Sequence, residues 1–205
     1  MKLLLASYNQ GKQHELHALL ADAPLDLISP ASLNLSLDVV EDGLTYQENA
    51  ARKALAFAQA SGYLSLADDS GLEVEALDGQ PGLHSARFSP LPGATDRDRR
   101  ELLLQKVQNK PRPWVACFRC VIALAVPTGE LYFSEGVCPG EIIPEERGQN
   151  GFGYDPIFLL SALGKTMAEL SMEEKNRLSH RARAVLAAKG VLLQLVSNSN
   201  VSFSA

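Results

Sequence analysis

The chain has 205 residues and a formal net charge of −5, and 46% of its residues are hydrophobic. This length suits one sizeable domain with a buried core, and the negative charge argues against duplex nucleic acid or an anionic membrane as a partner. The longest apolar run, residues 121–126, is too short to span a bilayer, so we expect a cytoplasmic protein without a membrane segment.

The N-terminal part of the chain predicts a strand, a polar turn and a helix. Residues 2–6 are mostly apolar, residues 7–12 read SYNQGK, and leucines then recur at helical spacing. Thr45 followed by Glu48 is a capping-box pattern, which predicts that a second helix begins directly after Thr45. Residues 63–67 favour a short strand that ends at an aspartate pair.

The rest of the chain mixes helical and strand patterns around turns rich in proline and glycine. The predicted elements are a helix at 96–108, strands at 114–126 and 131–138 that form a hairpin, and a helical segment within 171–189. We expect the last helix to stop at Gly190 and the tail, residues 197–205, to be flexible. These elements predict a single mixed α/β domain over residues 1–205.

The turn SYNQGK is a candidate binding loop for an anion. It leads from a strand into a helix, where backbone N–H groups and the positive end of the helix dipole favour negative charge. Lys12 adds a cation, and the side chains of Ser7 and Asn9 can donate hydrogen bonds. The spacing of glycine and lysine in this turn is not that of a P-loop. An ordinary turn that contains Asn and Gly and precedes a helix is the alternative explanation of the same residues.

Two adjacent acids, Asp68 and Asp69, raise an electrostatic question, because neighbouring carboxylates repel each other. A hard divalent cation such as Mg²⁺ would offset the repulsion, since it takes one or two carboxylates together with phosphate oxygens and waters. Glu41, just before the capped helix, could supply a further carboxylate. The alternatives are a solvated turn for the aspartates and a dipole-favoured position near a helix N-terminus for Glu41.

The segment NGFGYDPIF, residues 150–158, predicts a tight loop that displays Phe152 and Tyr154. A displayed aromatic ring is a natural platform for a nucleobase. The same letters also fit a turn that leads into a core strand, with Ile157 and Phe158 buried.

A basic segment, SMEEKNRLSHRARAVLAAKG, follows near the C-terminus. If Ser179 caps a second helix within it, His180 and Arg181 lie in the first turn of that helix, where the dipole disfavours cations. An anionic or carbonyl-bearing ligand would relieve this conflict. A solvated basic face is the alternative.

Five motifs occur together and in order, and they carry a resemblance to a known family. They are SYNQGK, EDGLTYQENA, ADDSGLEVEALDGQPGLHSARF, GFGYDPIF and EEKNRLSHR. In these motifs the chain resembles the inosine triphosphate pyrophosphatase family, which includes the bacterial dITP/XTP pyrophosphatases, over residues 3–190. Position 7 is Ser where the family commonly has Thr, and His84 stands where a tyrosine is expected.

The resemblance implies a long mixed β-sheet flanked by helices, in two lobes with an active-site cleft between them. It implies a homodimer that uses Mg²⁺ to hydrolyse non-standard purine nucleoside triphosphates (dITP, ITP, XTP) to the monophosphate and pyrophosphate, which cleanses the nucleotide pool. It implies that Asp69 is the general base, that Glu41 and Asp69 are metal ligands, and that Asp68 is either a further ligand or a partner behind them. The residues implied to bind substrate are Ser7, Tyr8, Asn9, Gln10, Gly11, Lys12, Ser70, Phe152, Gly153, Tyr154, Asp155, Lys175, His180 and Arg181.

Two other functions are consistent with the same residues. A regulatory module could hold a triphosphate without cleaving it, although a pure binder of a polyanion would gain more from cations than from acids at 41, 68 and 69. A broad nucleotide or sugar-phosphate hydrolase would use similar metal chemistry without discriminating among bases. In the function that the resemblance implies, donors from Lys175, His180 or Arg181 would recognise the C6 carbonyl of hypoxanthine and xanthine.

Overall fold

The computed structural model describes residues 1–201, which form a mixed β-sheet flanked by helices. The strands are β1 Lys2–Leu5, β2 Asp26–Ile28, β3 Leu64–Val74, β4 Trp114–Ala125, β5 Leu131–Ile142, β6 Phe158–Leu160 and β7 Lys165–Thr166. The α-helices are α1 Gln10–Leu19, α2 Tyr46–Ser61, α3 Asp96–Val107, α4 Met172–Leu178 and α5 His180–Val201. The order of strands in the sheet is β2-β1-β3-β4-β5-β6-β7, and the predicted fold class is confirmed.

The sheet is parallel near one edge and antiparallel near the other. β1 pairs in parallel with β2 and with β3, so Leu3 lies opposite Leu27 on one side and Leu64 on the other. β6 pairs antiparallel with both β5 and β7. Parallel strands need a crossover connection. Accordingly, α1 follows β1 and α2 follows β2 along the chain.

The chain folds into two compact units. The first unit comprises residues 1–69, residues 120–136 and the chain from residue 181 onward. The second unit comprises residues 70–119 and 137–180.

Each unit buries its own apolar core. In the first unit, leucines of β1, α1 and β3 form a core with Ile122 of β4 and Val185 of α5. In the second unit, the core includes Trp114 of β4, Phe158 of β6 and Met167. Burying a large apolar side chain stabilises the folded state by about 1.5–3 kcal/mol. Each unit therefore has a packed core that supports the strands and helices around it.

Short polar patterns set where the helices begin. The Thr45 side chain accepts a hydrogen bond from Glu48 N at 3.1 Å, so α2 begins where the sequence predicts. The Glu48 carboxylate departs from the expected box, because it accepts from Leu44 N at 2.7 Å. Complete capping boxes open both α3 and α4.

The aspartate pair lies inside a strand and not at its end. β3 continues from Leu64 through Asp68 and Asp69 to Val74, so the strand predicted at 63–67 is too short. Both aspartates are buried, which rules out the solvated turn as an explanation. The prediction fails because a pair of acids usually marks a strand end, whereas here other parts of the fold compensate the charges.

The last helical segment consists of two helices separated by Ser179. Ser179 has φ −68° and ψ 158°, an extended conformation that interrupts the helical backbone. α5 then begins at His180, which places His180 and Arg181 in its first turn as the conditional prediction states.

Helix α5 passes Gly190, so the predicted stop there is wrong. A glycine inside a helix lowers the stability of the helix by about 1 kcal/mol, but burial of Leu192, two positions later, outweighs that cost. Leu192 is only 2% exposed and belongs to the core of the first unit. The tail predicted to be flexible at 197–205 is helical as far as Val201, and residues 202–205 lie outside the described residues.

Among the described residues, we find no helix that combines the length and the apolar character needed to cross a membrane.

Packing of α5 beyond Gly190 can be tested with two adjacent substitutions. We expect Leu192→Ala to lower the free energy of unfolding by about 2–4 kcal/mol, because it removes a buried side chain and leaves a cavity. Leu193→Ala is the matched control, since Leu193 is half-exposed and its loss should cost less than about 1 kcal/mol. Urea unfolding followed by circular dichroism measures both, and equal losses would contradict the packing described.

Candidate active site

Asp68 and Asp69 occupy consecutive positions of β3, so their side chains point to opposite faces of the sheet. Neither carboxylate therefore has to face the other, which answers the electrostatic question raised by the sequence. Asp68 is 1% exposed and Asp69 is 7% exposed. Each buried charge must be compensated by partners on its own side.

Asp68 is held by cations from two helices. Its Oδ2 lies 3.1 Å from Lys12 Nζ of α1, and it accepts hydrogen bonds from Arg181 Nε at 3.2 Å and Nη2 at 3.0 Å. Burial by itself raises the pKa of Asp68. The charges of Lys12, Arg181 and Lys53 together outweigh burial and hold that pKa well below its ordinary value. Asp68 is therefore an ionised anchor.

Arg181 lies at the centre of this network. Its side chain is buried, and Nη1 donates to the buried Glu15 of α1 while its other nitrogens donate to Asp68. Burial lowers the pKa of Arg181, but Asp68 and Glu15 more than reverse that effect, so the pKa lies above its ordinary value. Two protein carboxylates thus resolve the conflict between this cation and the first turn of α5. A contact between Arg181 and the nucleoside stays a prediction.

Asp69 differs from its neighbour because burial dominates its electrostatics. Asn49 Nδ2 of α2 donates to Asp69 Oδ2 at 3.1 Å. Burial raises the pKa of Asp69, and Lys53 and Lys12 oppose that effect only in part. Glu41 adds to the increase. The raised pKa makes Asp69 a better proton acceptor than a surface aspartate.

Lys53 connects Glu41 with the strand that carries the aspartates. Its Nζ lies 3.1 Å from Glu41 Oε2 and donates to the backbone oxygen of Asp68 at 2.7 Å. It stands four positions after Asn49 in α2, so the two side chains share one helix face. The motifs alone predict no functional role for Lys53, although its spacing from Asn49 is a signal for one.

Within residues 1–201, no group of three or more His, Cys, Asp or Glu side chains is arranged to hold a metal ion. Mg²⁺ does not require such a group, because phosphate oxygens and waters complete its coordination around one or two carboxylates. Glu41 and Asp69 fit this requirement, since both offer hard oxygen ligands and the charge of one acts on the other. Asp68 fits less well, because Lys12 and Arg181 already engage its Oδ2.

The predicted anion-binding turn is shorter than expected, because α1 begins at Gln10. Gln10, Gly11 and Lys12 therefore lie in the first helical turn. Asn9 Oδ1 caps the helix by accepting from Lys12 N at 3.0 Å, and Ser7 Oγ accepts from Asn9 N at 3.2 Å. An anion at this end of α1 would meet the positive end of the dipole and the Lys12 ammonium.

Tyr8 ties this turn to the segment that leads to Glu41. Its hydroxyl donates to Leu35 O at 3.2 Å and accepts from Leu37 N at 2.8 Å. Its half-exposed ring lies 5.7 Å from the ring of Phe57. The structure thus gives Tyr8 a positioning role, and its contact with substrate stays a prediction.

In the second unit, residues 150–155 form what we call the aromatic loop, which is built on a buried ion pair. Lys175 Nζ lies 2.5 Å from Asp155 Oδ2. Gly151 approaches this pair so closely that a Cβ atom there would lie 2.0 Å from Asp155 Oδ2. Phe152 N donates to the same carboxylate at 3.0 Å, and Lys175 Nζ lies 5.3 Å from the centre of the Phe152 ring. These contacts hold the half-buried Phe152 in place.

Tyr154 is not displayed, contrary to the prediction. It is 4% exposed, its hydroxyl donates to Ser85 O at 2.9 Å, and burial raises its pKa. The prediction fails because an aromatic residue beside a tight turn can equally fill a core, as Tyr154 does in the second unit. His180 is also buried, with its ring stacked on Phe118 at 4.8 Å, and Ser70 is half-buried in β3. Substrate contacts of these residues stay predictions.

Comparison with known proteins identifies the family. The Ham1 family model matches residues 3–190, and the chain belongs to the Ham1 family. A Desulforamulus reducens protein named dITP/XTP pyrophosphatase is 45% identical over 202 residues, which cover 98% of this chain and 100% of that protein. Two solved structures are similar to this one: the Staphylococcus aureus Ham1 protein, with 40% identity and a TM-score of 0.83, and a HAM1 protein from Coxiella burnetii, with 38% identity and a TM-score of 0.85. Each match covers 95% of this chain and 99% of the other chain. The resemblance carried by the five motifs is confirmed.

The buried contact between Glu15 and Arg181 predicts different outcomes for the same substitution at two sites. Glu15→Gln keeps the side-chain volume but removes a charge that compensates Arg181, so the free energy of unfolding should fall by about 2–4 kcal/mol. Glu101→Gln is the control, because Glu101 pairs with Arg97 on the exposed face of α3, where solvent screens the pair and the loss of stability should be much smaller. Denaturant unfolding measures both, and a small loss for Glu15→Gln would argue against the network.

Proposed function

We infer that this protein is a nucleoside-triphosphate pyrophosphatase, which hydrolyses non-standard purine nucleoside triphosphates such as dITP and XTP to the monophosphate and pyrophosphate. The observation that carries the inference is its near full-length likeness to proteins named dITP/XTP pyrophosphatase within the Ham1 family. The geometry supports it, because the first unit combines buried carboxylates with Lys12, Lys53 and a helix N-terminus. Such a set suits a polyanion that arrives with a divalent cation.

For the cofactor we propose Mg²⁺, held by Glu41 and Asp69. When bound, the ion would neutralise charge on the polyphosphate and on the departing pyrophosphate. Lys53 compensates the charge of Glu41 in the structure, at 3.1 Å. Asp68, engaged by Lys12 and Arg181, serves as the partner that orients Lys12, which is the second of the two roles considered for it.

Asp69 is the proposed general base, which orients a water molecule and accepts its proton. Its raised pKa and its hydrogen bond from Asn49 support this role, because the first favours proton uptake and the second fixes one carboxylate oxygen. Lys12, Lys53 and the N–H groups of the first turn of α1 would bind the phosphates and steady the leaving group. The remaining residues proposed at the phosphate chain are Ser7, Tyr8, Asn9, Gln10, Gly11 and Ser70.

The second unit contributes the proposed recognition of the base. Phe152 offers a held aromatic ring, and stacking on such a ring is worth about 1–3 kcal/mol. A donor such as Lys175 suits the C6 carbonyl of hypoxanthine and xanthine, whereas the C6 amino group of adenine would leave the N–H group that faces it without an acceptor. The further residues proposed around the nucleoside are Gly153, Tyr154, Asp155 and His180 of this unit, together with Arg181 of the first unit.

We also propose that the protein acts as a homodimer in the cytoplasm, where the nucleotide pool is available. A net charge of −5 gives no reason to add nucleic acid or membrane as a partner.

Measurement of pyrophosphate release separates this function from the two alternatives. With Mg²⁺ we expect release from dITP, ITP and XTP, with kcat/KM at least about 100-fold above the values for dATP and dGTP. Removal of the divalent metal with EDTA should abolish it. Absence of release from every nucleotide would favour a regulatory module, and equal rates across bases would favour a broad hydrolase.

The substitution Asp69→Asn tests the proposed base. Asparagine keeps an oxygen that can accept from Asn49, so the melting temperature should stay within about 5 °C of the wild-type value. The kcat for dITP should fall by at least about 100-fold, because the amide cannot accept the proton. Asp38→Asn, which alters an exposed acid of the same unit, should leave kcat unchanged. Near-normal turnover by the Asp69 variant would remove this residue from the mechanism.

A further inference from the structure

One glycine of the aromatic loop is held through both of its backbone polar groups by helix α3. Gly153 N donates to Asp96 Oδ2 at 2.7 Å, and Gly153 O accepts from Arg100 Nη1 at 2.8 Å. Asp96 and Arg100 are four positions apart, so they lie on one face of the helix. We call these two residues the α3 clamp.

The α3 clamp is itself fixed by further contacts. Thr95 caps α3 and takes part in a complete capping box, which defines the first turn that carries Asp96. Arg99 pairs with Asp96 at 2.5 Å. Arg100 forms a second attachment, since two of its nitrogens donate to the Glu146 carboxylate at 2.8 and 3.0 Å. Hydrogen bonds between charged groups in this geometry are stronger than neutral ones.

Together with Asp155, the α3 clamp fixes the backbone on both sides of Phe152. Asp155 accepts from Phe152 N at 3.0 Å, and Asp96 accepts from the next N–H, that of Gly153. Because each peptide group is planar, holding both groups leaves little freedom in the φ and ψ of Phe152. The direction in which its Cα–Cβ bond leaves the backbone is therefore set.

The loop needs this restraint because of its glycines. Gly151 has φ 75° and Gly153 has φ 63°, and both lie in the left-handed region that glycine enters at low cost. The same freedom allows a glycine to adopt many other conformations once its hydrogen bonds are lost. Ordering one residue costs about 1–2 kcal/mol, which the hydrogen bonds of the α3 clamp offset before any ligand arrives.

We propose that Asp96 and Arg100 are positioning residues that set base selectivity by fixing Phe152. The proposal rests on the proposed function, since selectivity among purine bases requires that the protein turns over purine nucleotides. Neither residue needs to touch the substrate. The α3 clamp acts on KM and on the choice of base, because Asp69 and the lysines proposed for the chemical step belong to the first unit.

Two substitutions at one position test the proposal. Asp96→Ala removes the acceptor for Gly153 N–H, whereas Asp96→Asn keeps an acceptor oxygen. We expect Asp96→Ala to raise KM for dITP about tenfold and to lower the ratio of kcat/KM for dITP over dATP about tenfold, with kcat for dITP changed less than about twofold. Asp96→Asn should bring both quantities back to within about twofold of the wild type. Steady-state pyrophosphate release gives all of these values.

The controls separate positioning from general stability. Arg100→Ala should shift KM and the base ratio in the same direction as Asp96→Ala, because it releases Gly153 O. Arg97→Ala should change neither, since Arg97 pairs with Glu101 on the exposed face of the same helix. A merely destabilised protein would lose kcat equally for every nucleotide, and melting temperatures identify that case.

Two outcomes would overturn the proposal in distinguishable ways. Wild-type turnover of dITP, with unchanged KM and base ratio in both Asp96→Ala and Arg100→Ala, would overturn the role of the α3 clamp and leave the proposed function standing. Absence of turnover of every nucleotide by the wild type would overturn the proposed function, and the role of the α3 clamp with it.

Discussion

Compensation of the buried charge of Asp68 is the constraint on which the first unit depends. An ionised carboxylate in the interior is tolerable only when partners replace its lost hydration. Lys12 comes from α1, Lys53 from α2 and Arg181 from α5. Arg181 is 113 positions from Asp68 in the chain. Removing one cation would leave this buried charge only partly compensated, so the network fixes three helices against β3 within this unit. The same contacts hold Lys12 and Lys53 beside Asp69, where the proposed chemistry needs cations.

The two neighbouring aspartates are made different by their surroundings. Both are buried, yet the pKa of Asp68 is lowered and the pKa of Asp69 is raised. The difference arises because Asp68 receives direct bonds from Arg181 and Lys12, whereas burial dominates the pKa of Asp69, which accepts a hydrogen bond from the neutral amide of Asn49. A pair of acids whose pKa values are pushed apart can divide the work between an anchor and a base. Their alternation on a strand makes this division possible, since each side chain meets a different environment.

Features encoded by nearby residues could be predicted from the sequence, whereas features that depend on distant contacts could not. The helix start at Thr45 was predicted because a cap and its partner lie within one turn. The burial of Glu15 was missed, because its partner Arg181 is 166 positions away. The continuation of α5 past Gly190 and the burial of Tyr154 were missed for a similar reason, since in both cases packing against a core decides the outcome. The roles of the site residues came from the family resemblance, because spacing alone left the alternatives open.

The glycines of the aromatic loop illustrate how composition can mislead about rigidity. A segment with Gly151 and Gly153 reads as flexible, but Gly151 is glycine because a Cβ would collide with Asp155, and Gly153 is held by α3. This rigidity bears on the proposed base selectivity. In the proposed function, a loop that could relax would let the stacked base shift until Lys175 faced an acceptor on adenine, and the energetic penalty that rejects the wrong base would be lost. A loop already ordered by Asp155 and α3 cannot relax without breaking those bonds, so a mismatched base would leave polar groups unpaired.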